Sequence, residues 1–485
     1  MEEKETKLTN TNINAGLIVS AEIVRNFIFI LLCFLAAQPI LYIIISQLMY
    51  GKIKYYLSSV DSTYTPYFTI WLSPIIKVVS LTLIILFVVY LICVKFTKNV
   101  QIKSLKNPLI GSLKSKLELY FFALTFIWIT IAFLVDGNYA RTFNDIPWSK
   151  RGYIYFMCYA AIAVSYFATT KKQKKIILET LIASMTFVAL LAVMIDGFGW
   201  FKMHCYVLKG AAIFQNRNYY GYFVAIGTVL PAARLYKEKK LALQIYYGFC
   251  FAFNETALLL TLTRGAFLGA CAGIIILLIF IPIQEKKFNL KLLLIPAIAI
   301  VVYAISELSG ISQFTTRVLL LSSDASKAAN ADQYTQEELD AMGSGRIKIW
   351  RSMIEHIKSS PIFGVGIGNT ENPHNEFLQV AAWSGIPACI FYVAGIVTLV
   401  VNTFRYKSEL TDTQLAALVG AGAYIVSSFF GNGLLQAIPF FILVLGLSFN
   451  IDIKIQDNEG EVRELQNVQT PEVNEVPPIS ETQTV

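Results

Sequence analysis

Stretches of about 20 apolar residues, the length that crosses a bilayer core as a helix, can be laid along this chain about twelve times. They run 22–48, 71–95, 117–135, 151–169, 176–197, 218–236, 243–262, 265–283, 291–309, 375–402, 413–430 and 433–450. Every second connector between them is basic. The connector after the second span holds Lys95, Lys98, Lys103, Lys106, Lys114 and Lys116; later ones carry KKQKK from Lys171, RLYKEKK from Arg234, EKKFNLK from Glu285 and RYK from Arg405. Lys and Arg in short loops stay in the cytoplasm, so this alternation puts both termini inside. The fold class it predicts is an all-α polytopic integral membrane protein. Ten or eleven spans remain an alternative, because TLTRGAF reads either as a tight turn or as a break in one long stretch.

Composition excludes a soluble globular chain. Hydrophobic residues make up 55% and charged residues 15%, against an apolar share of about 45–50% in ordinary soluble domains. The net charge of +8 follows from the basic connectors, so it reports topology and gives no ground for a nucleic-acid partner. The seven cysteines, Cys33, Cys93, Cys158, Cys205, Cys250, Cys271 and Cys389, are scattered and mostly within apolar spans. They read as small core hydrophobes, with no disulfide framework, no metal spacing and no cofactor implied. The polar start before the first span is too long for a cleaved signal, so that span is expected to remain as an anchor.

The chain therefore divides into a bundle of nine helices over residues 1–309, an outer insert over 310–374, three more helices over 375–451 and a tail over 452–485. The tail is acidic, contains proline and lacks aromatics, which predicts a disordered cytoplasmic segment. The insert is the polar exception in an apolar chain. A capping-box pattern from Thr335 to Glu338 predicts a short helix at TQEELDAM. After Gly343 and Gly345, RIKIWRSMIEHIKSS has helical period with Ile347, Trp350, Met353, Ile354 and Ile357 on one face, and Pro361 ends it. GVGIGN lacks the strand and βαβ setting of a dinucleotide loop, so its glycines serve to turn the backbone back toward the membrane.

Candidate functional residues lie at the outer ends of spans. Arg217, between Asn216 and Asn218, is either an interfacial arginine or a planar donor fork for an anionic head group. Arg264 interrupts a long hydrophobic stretch. Glu255, in mid-span beside Asn254, marks a buried partner or a polar cavity, or it is a protonated packing group. Asp196 reads as an interface residue. His374 precedes the tenth span and is followed by Asn375 and Glu376; His204 and His356 carry no assigned role.

TRGAFLGACAG, SGRIKIWRSMIEHIKSSPIFGVGIGN and HNEFLQVAAWSGIPACIFYVAGI, taken together, resemble the O-antigen ligase and O-antigen polymerase family of bacterial envelope glycan enzymes. The resemblance covers about residues 205–400. It implies a GT-C-like membrane glycosyltransferase of the bacterial cytoplasmic membrane, independent of metal, with a large outer helical loop between the ninth and tenth helices. Its expected donor is an undecaprenyl-diphosphate-linked glycan, its acceptor a hydroxyl of a glycan or lipid, and its partners other envelope glycan assembly proteins. Carried over by motif, Arg217 and Arg264 hold the donor diphosphate and His374 is the catalytic base. Positioned cations stabilise the charge of a departing diphosphate, and an imidazole titrates near neutral pH, as a general base should. Arg346 matches the S-G-R motif, either as a substrate contact or in an ion pair that positions the insert. Asn375 and Glu376 are supporting positions, and Glu376 is a possible orienting partner for His374. Attachment of a finished glycan and polymerisation of O-antigen, capsule or exopolysaccharide repeats both fit. A transporter of an anion or lipid-linked glycan is the alternative of a different class, although the chain has no internal repeat.

Overall fold

The computed structural model describes residues 2–48, 67–96, 117–143, 152–200, 209–214, 216–319, 333, 335–433 and 435–449, with side chains from residue 17 of the first helix and from residue 345 of the insert helix. The tail 452–485, His204, Cys205, the end of the loop before Trp148 and most of the lysine-rich connector after the second span lie outside the described residues.

The helices are α1 (Glu2–Ala36), α2 (Gln38–Leu48), α3 (Tyr67–Phe96), α4 (Leu117–Asp136), α5 (Tyr153–Ser165), α6 (Lys171–Ala192), α7 (Arg217–Lys237), α8 (Leu241–Thr261), α9 (Arg264–Glu285), α10 (Leu294–Leu308), α11 (Gln336–Ser359), α12 (Glu376–Ser384), α13 (Ile386–Arg405), α14 (Asp412–Ser428) and α15 (Ile438–Ser448). Among the described residues, seven segments are long and apolar enough to cross a membrane: Leu17–Ala36, Phe68–Phe96, Leu117–Asp136, Lys171–Gly197, Arg264–Glu285, Leu290–Leu308 and Ile386–Arg405. Three more, Gln38–Leu48, Tyr153–Ala168 and Ile438–Ser448, are apolar but shorter. The chain is a helical, multi-pass membrane protein.

Two expected spans are each two helices. The stretch 22–48 breaks at Ala37, because Pro39 has no N–H to donate back along the helix and its ring crowds the preceding turn. The stretch 375–402 breaks at Gly385, whose φ of +88° is cheap only without a Cβ. A Cβ there would also run into the carbonyl of Ile362. Freed from the helix ladder, the Ile386 amide donates to Pro361 O at 2.8 Å, so the break joins the insert to the membrane helix α13. The insert departs from expectation in the opposite sense. The insert is one assigned helix, α11, where two were expected, and Gly345 within it, at φ +78°, lies where the two were expected to meet.

A second, smaller core lies around α11. Met353 of α11 is fully buried with Ile129 and Phe133 of α4, Tyr153 of α5, Ile367, Trp383 of α12 and Ala388 of α13, and Ile349 and Ile357 pack against it. Ile354, expected on this face, is instead exposed.

At the centre of the main core stands α7, buried continuously from Tyr220 to Tyr236. It packs on α8, α9 and α14. The basic connectors meet at one end of the bundle: Lys237 Nζ pairs with Glu285 at 3.0 Å, Lys291 Nζ donates to Glu238 O at 2.6 Å, and Gln284 donates to Lys407 O at 2.8 Å. The insert and the candidate site occupy the other end.

Candidate functional site

TLTRGAF is a tight turn. Leu262 takes φ +55° as the cap of α8, and α9 starts two residues later at Arg264. The turn lets α9 begin beside the start of α7: Thr263 Oγ1 donates to Arg217 O at 3.1 Å, and Gly221 of α7 sits so close to Thr263 and Ala266 that a Cβ would lie 3.0 Å from each. Arg217 and Arg264 are thus the first residues of two touching helices. Both helix dipoles present their positive ends there, so the site favours an anion before any side chain is counted.

Asn216 caps α7, its Oδ1 accepting from Asn218 N at 2.8 Å. Arg217 is then steered by backbone, with Nε donating to Lys209 O at 3.0 Å. Among the described residues no acceptor engages its two terminal nitrogens, so the fork stays available. Asp196, read from sequence as an interface residue, serves the local structure, its Oδ2 accepting from Gly210 N at 2.6 Å and so fixing the loop that carries Lys209. It lies in a π-helical turn, Val193–Gly197, that ends α6.

Arg346 approaches from α11. Burial pulls its guanidinium below the ordinary arginine range; Tyr222 acts the other way, and the like charge of Arg264 adds to the depression. The group stays cationic, and the like charge of Arg264 makes this end of the bundle electropositive. No carboxylate among the described residues pairs with Arg346, so the positioning ion pair offered from sequence is not present among them.

His374 sits where the insert returns to the bundle. Its φ is +50°, a left-handed conformation that costs a residue with a Cβ about 1–2 kcal/mol. Its neighbours hold that conformation. Trp350 Nε1 of α11 donates to Pro373 O at 2.7 Å, and the His374 amide donates to Asn432 Oδ1 at 2.6 Å. Asn375 caps α12, accepting from Leu378 N at 3.0 Å. Glu376 is buried, and its oxygens accept from Tyr392 at 3.1 Å and Tyr424 at 2.9 Å, which ties α12 to α13 and α14. Each oxygen of Glu376 thus holds one tyrosine hydroxyl. Glu255 is buried in α8 with Oε2 unpartnered among the described residues.

Sequence reasoning passed over the segment that joins these parts. Phe430–Gly433, between α14 and α15, lies against Gly265 through the Phe430 ring and receives the Tyr222 hydroxyl on Phe430 O at 2.9 Å. Gly433 N donates to Gln379 Oε1 at 3.1 Å. Asn432, only 2% exposed, holds His374 through Oδ1 while its Nδ2 has no partner among the described residues. The available signal was a lone amide between two glycines, FFGNG, interrupting an apolar run.

Residues 249–393 match the family described as O-antigen ligase. This segment is similar to O-antigen ligases. It runs from within α8 into α13 and takes in Glu255, Arg264, Arg346 and His374. Arg217 and Asn432 lie beyond its two ends, yet the fold brings both to the same site. The resemblance read from the sequence holds over this segment, and it supports a membrane enzyme of the O-antigen ligase or polymerase kind in general. No curated protein matches the chain.

Proposed function

We propose that the protein moves a glycan from undecaprenyl diphosphate to an acceptor hydroxyl, at the end of the bundle that carries α11. One observation bears most of the weight. Arg217 and Arg264 open two contacting helices, the charge of Arg264 is felt at Arg346, and the Phe430–Gly433 segment connects this cationic end to His374.

In this reading the arginines take the diphosphate of the donor. His374, as the neutral imidazole, accepts the proton of the acceptor hydroxyl while that oxygen bonds to the anomeric carbon. The bond from that carbon to the diphosphate oxygen breaks, and the polyprenyl diphosphate leaves with its pair of electrons. The negative charge that develops on the leaving oxygen is met by guanidinium groups and helix ends already in place, which is the form of stabilisation worth most in a water-poor site.

The test is purified protein in lipid, supplied with undecaprenyl-diphosphate-linked repeat unit and analysed on a gel. A ladder of lengthening chains identifies a polymerase, and one product that requires an added acceptor identifies a ligase. A donor left uncleaved under both conditions, yet carried across the bilayer, would replace the enzyme reading with a transporter.

A further inference from the structure

Among the described residues, α13 packs along α4 and α12 but along neither α9 nor α14. It meets α9 at the end where the basic connectors gather: the Phe404 and Phe280 rings lie 5.3 Å apart, edge to face, and Gln284 donates to Lys407 O. The face of α13 that makes this contact can be followed by helical spacing toward the insert, through Val400, Val397, Val393 and Ile390. All four are exposed, Val397 by 52%. The two helices therefore touch at Phe404 and stand apart beyond it, with an apolar cleft between them. α9 forms the opposite wall. Ile276, one turn before Phe280, is exposed, as are Leu268, Ile275 and Ile279 beside it. The floor is α14, on which Leu418, Gly422, Ile425 and Phe429 follow one line. Gly422 keeps that floor low, since a Cβ on it would sit 2.9 Å from the Ile276 side chain.

The cleft leads to the cationic end of the bundle. Phe429 is 45% exposed at its head, and the next residue, Phe430, rests on Gly265, the neighbour of Arg264. From Arg264 to Phe280 the α9 wall is about 24 Å long, at 1.5 Å per residue. Neither α9 between Arg264 and Glu285 nor α13 before Arg405 carries a charge. The cleft is thus closed at one end, apolar along its walls, open sideways to lipid, and headed by the helix starts that favour an anion. A long hydrocarbon chain ending in a diphosphate matches all four properties. We propose that the cleft between α9 and α13 holds the isoprenoid chain of the lipid-linked donor, an occupant that rests on the transfer reading above. The chain leaves one hydrocarbon setting for another, so the cleft adds little hydrophobic gain. Its contribution is orientation: a chain laid along α9 brings the diphosphate to the start of that helix.

The experiment is photo-crosslinking of the full-length protein in phosphatidylethanolamine and phosphatidylglycerol vesicles. The probe is a polyprenyl diphosphate with a diazirine in its chain, and labelled peptides are mapped by mass spectrometry. Label is expected on α9 and α13 and should be competed away by undecaprenyl diphosphate. The double variant Ile279→Trp, Val397→Trp fills the cleft from two exposed positions, so folding is preserved. It should lower labelling about tenfold, as excess volume forced into a packed site does. Ile300→Trp, at an exposed position on α10 away from the cleft, should leave labelling unchanged. Label spread evenly over the exposed helices, or a filled variant labelled like the wild type, overturns the proposal and leaves the cleft to bulk lipid. The readout needs no turnover, so the two readings separate. Label on α9 and α13 in a protein that transfers no glycan refutes transfer and keeps the cleft as a polyprenyl diphosphate site; transfer that proceeds with label elsewhere refutes the cleft alone.

Discussion

Replacing Asn432 with alanine removes the acceptor of the His374 amide, a 2.6 Å bond from a side chain only 2% exposed. Leaving a buried N–H without a partner costs about 1–3 kcal/mol. His374 already carries the cost of φ +50°, about 1–2 kcal/mol. With the bond gone, nothing at that amide offsets the strain, and the residue relaxes toward negative φ. The imidazole then moves relative to Arg217 and Arg264, and a misplacement of about 1 Å at a reacting group costs about 100-fold in rate. The expected outcome in the lipid-linked transfer assay is a fall of about 100-fold in kcat, with donor KM within a few-fold of wild type because the arginines are untouched. Asn432→Asp keeps an oxygen acceptor, and since the Asn432 Nδ2 has no described partner, no hydrogen bond is lost. It should retain at least about a tenth of the rate. Full activity in Asn432→Ala, with melting behaviour unchanged, would refute the idea that this side chain sets the histidine.

Arg217→Ala, Arg264→Ala and His374→Ala should each abolish transfer while membrane insertion, followed by fractionation, is preserved; normal glycan assembly in a well-expressed His374→Ala strain would remove that residue from the mechanism. Trp350→Phe deletes the bond to Pro373 O and should lower stability by about 1 kcal/mol, read as a shift in melting temperature. Gly385→Ala forces a Cβ into the Ile362 carbonyl at φ +88°, so it should reduce folded protein far more than Gly248→Ala, where a Cβ meets open space. Glu255→Gln removes a buried carboxylate that lacks a described partner on one oxygen, and folded yield should be equal or higher. Glu376→Gln should lower it, because Tyr392 and Tyr424 both donate to that carboxylate.

The local rules of sequence carried the reading a long way. Apolar length placed most helices within a few residues, basic connectors identified the end at which Lys237, Glu285, Lys291 and Lys407 now meet, and the family resemblance nominated Arg264, Arg346 and His374. What sequence did not disclose depends on contacts between distant parts. Hydropathy averages over a window, so it carried one span through Pro39 and another through Gly385. The helical period of the insert gave the right axis but put Ile354 in place of Ile349, because the face that is buried is chosen by Trp383 and Phe133, far away in the chain. Asn432 was passed over for the same reason: its importance lies in a partner 58 residues earlier.

That separation bears on how the enzyme is made. A ribosome threading this chain into the bilayer delivers the arginines and the histidine well before α14 and α15 exist. Until the segment after α14 is in place, the His374 amide lacks the acceptor that Asn432 supplies. Nascent or prematurely terminated chains would therefore hold the residues of the proposed site without the contact that joins His374 to Asn432.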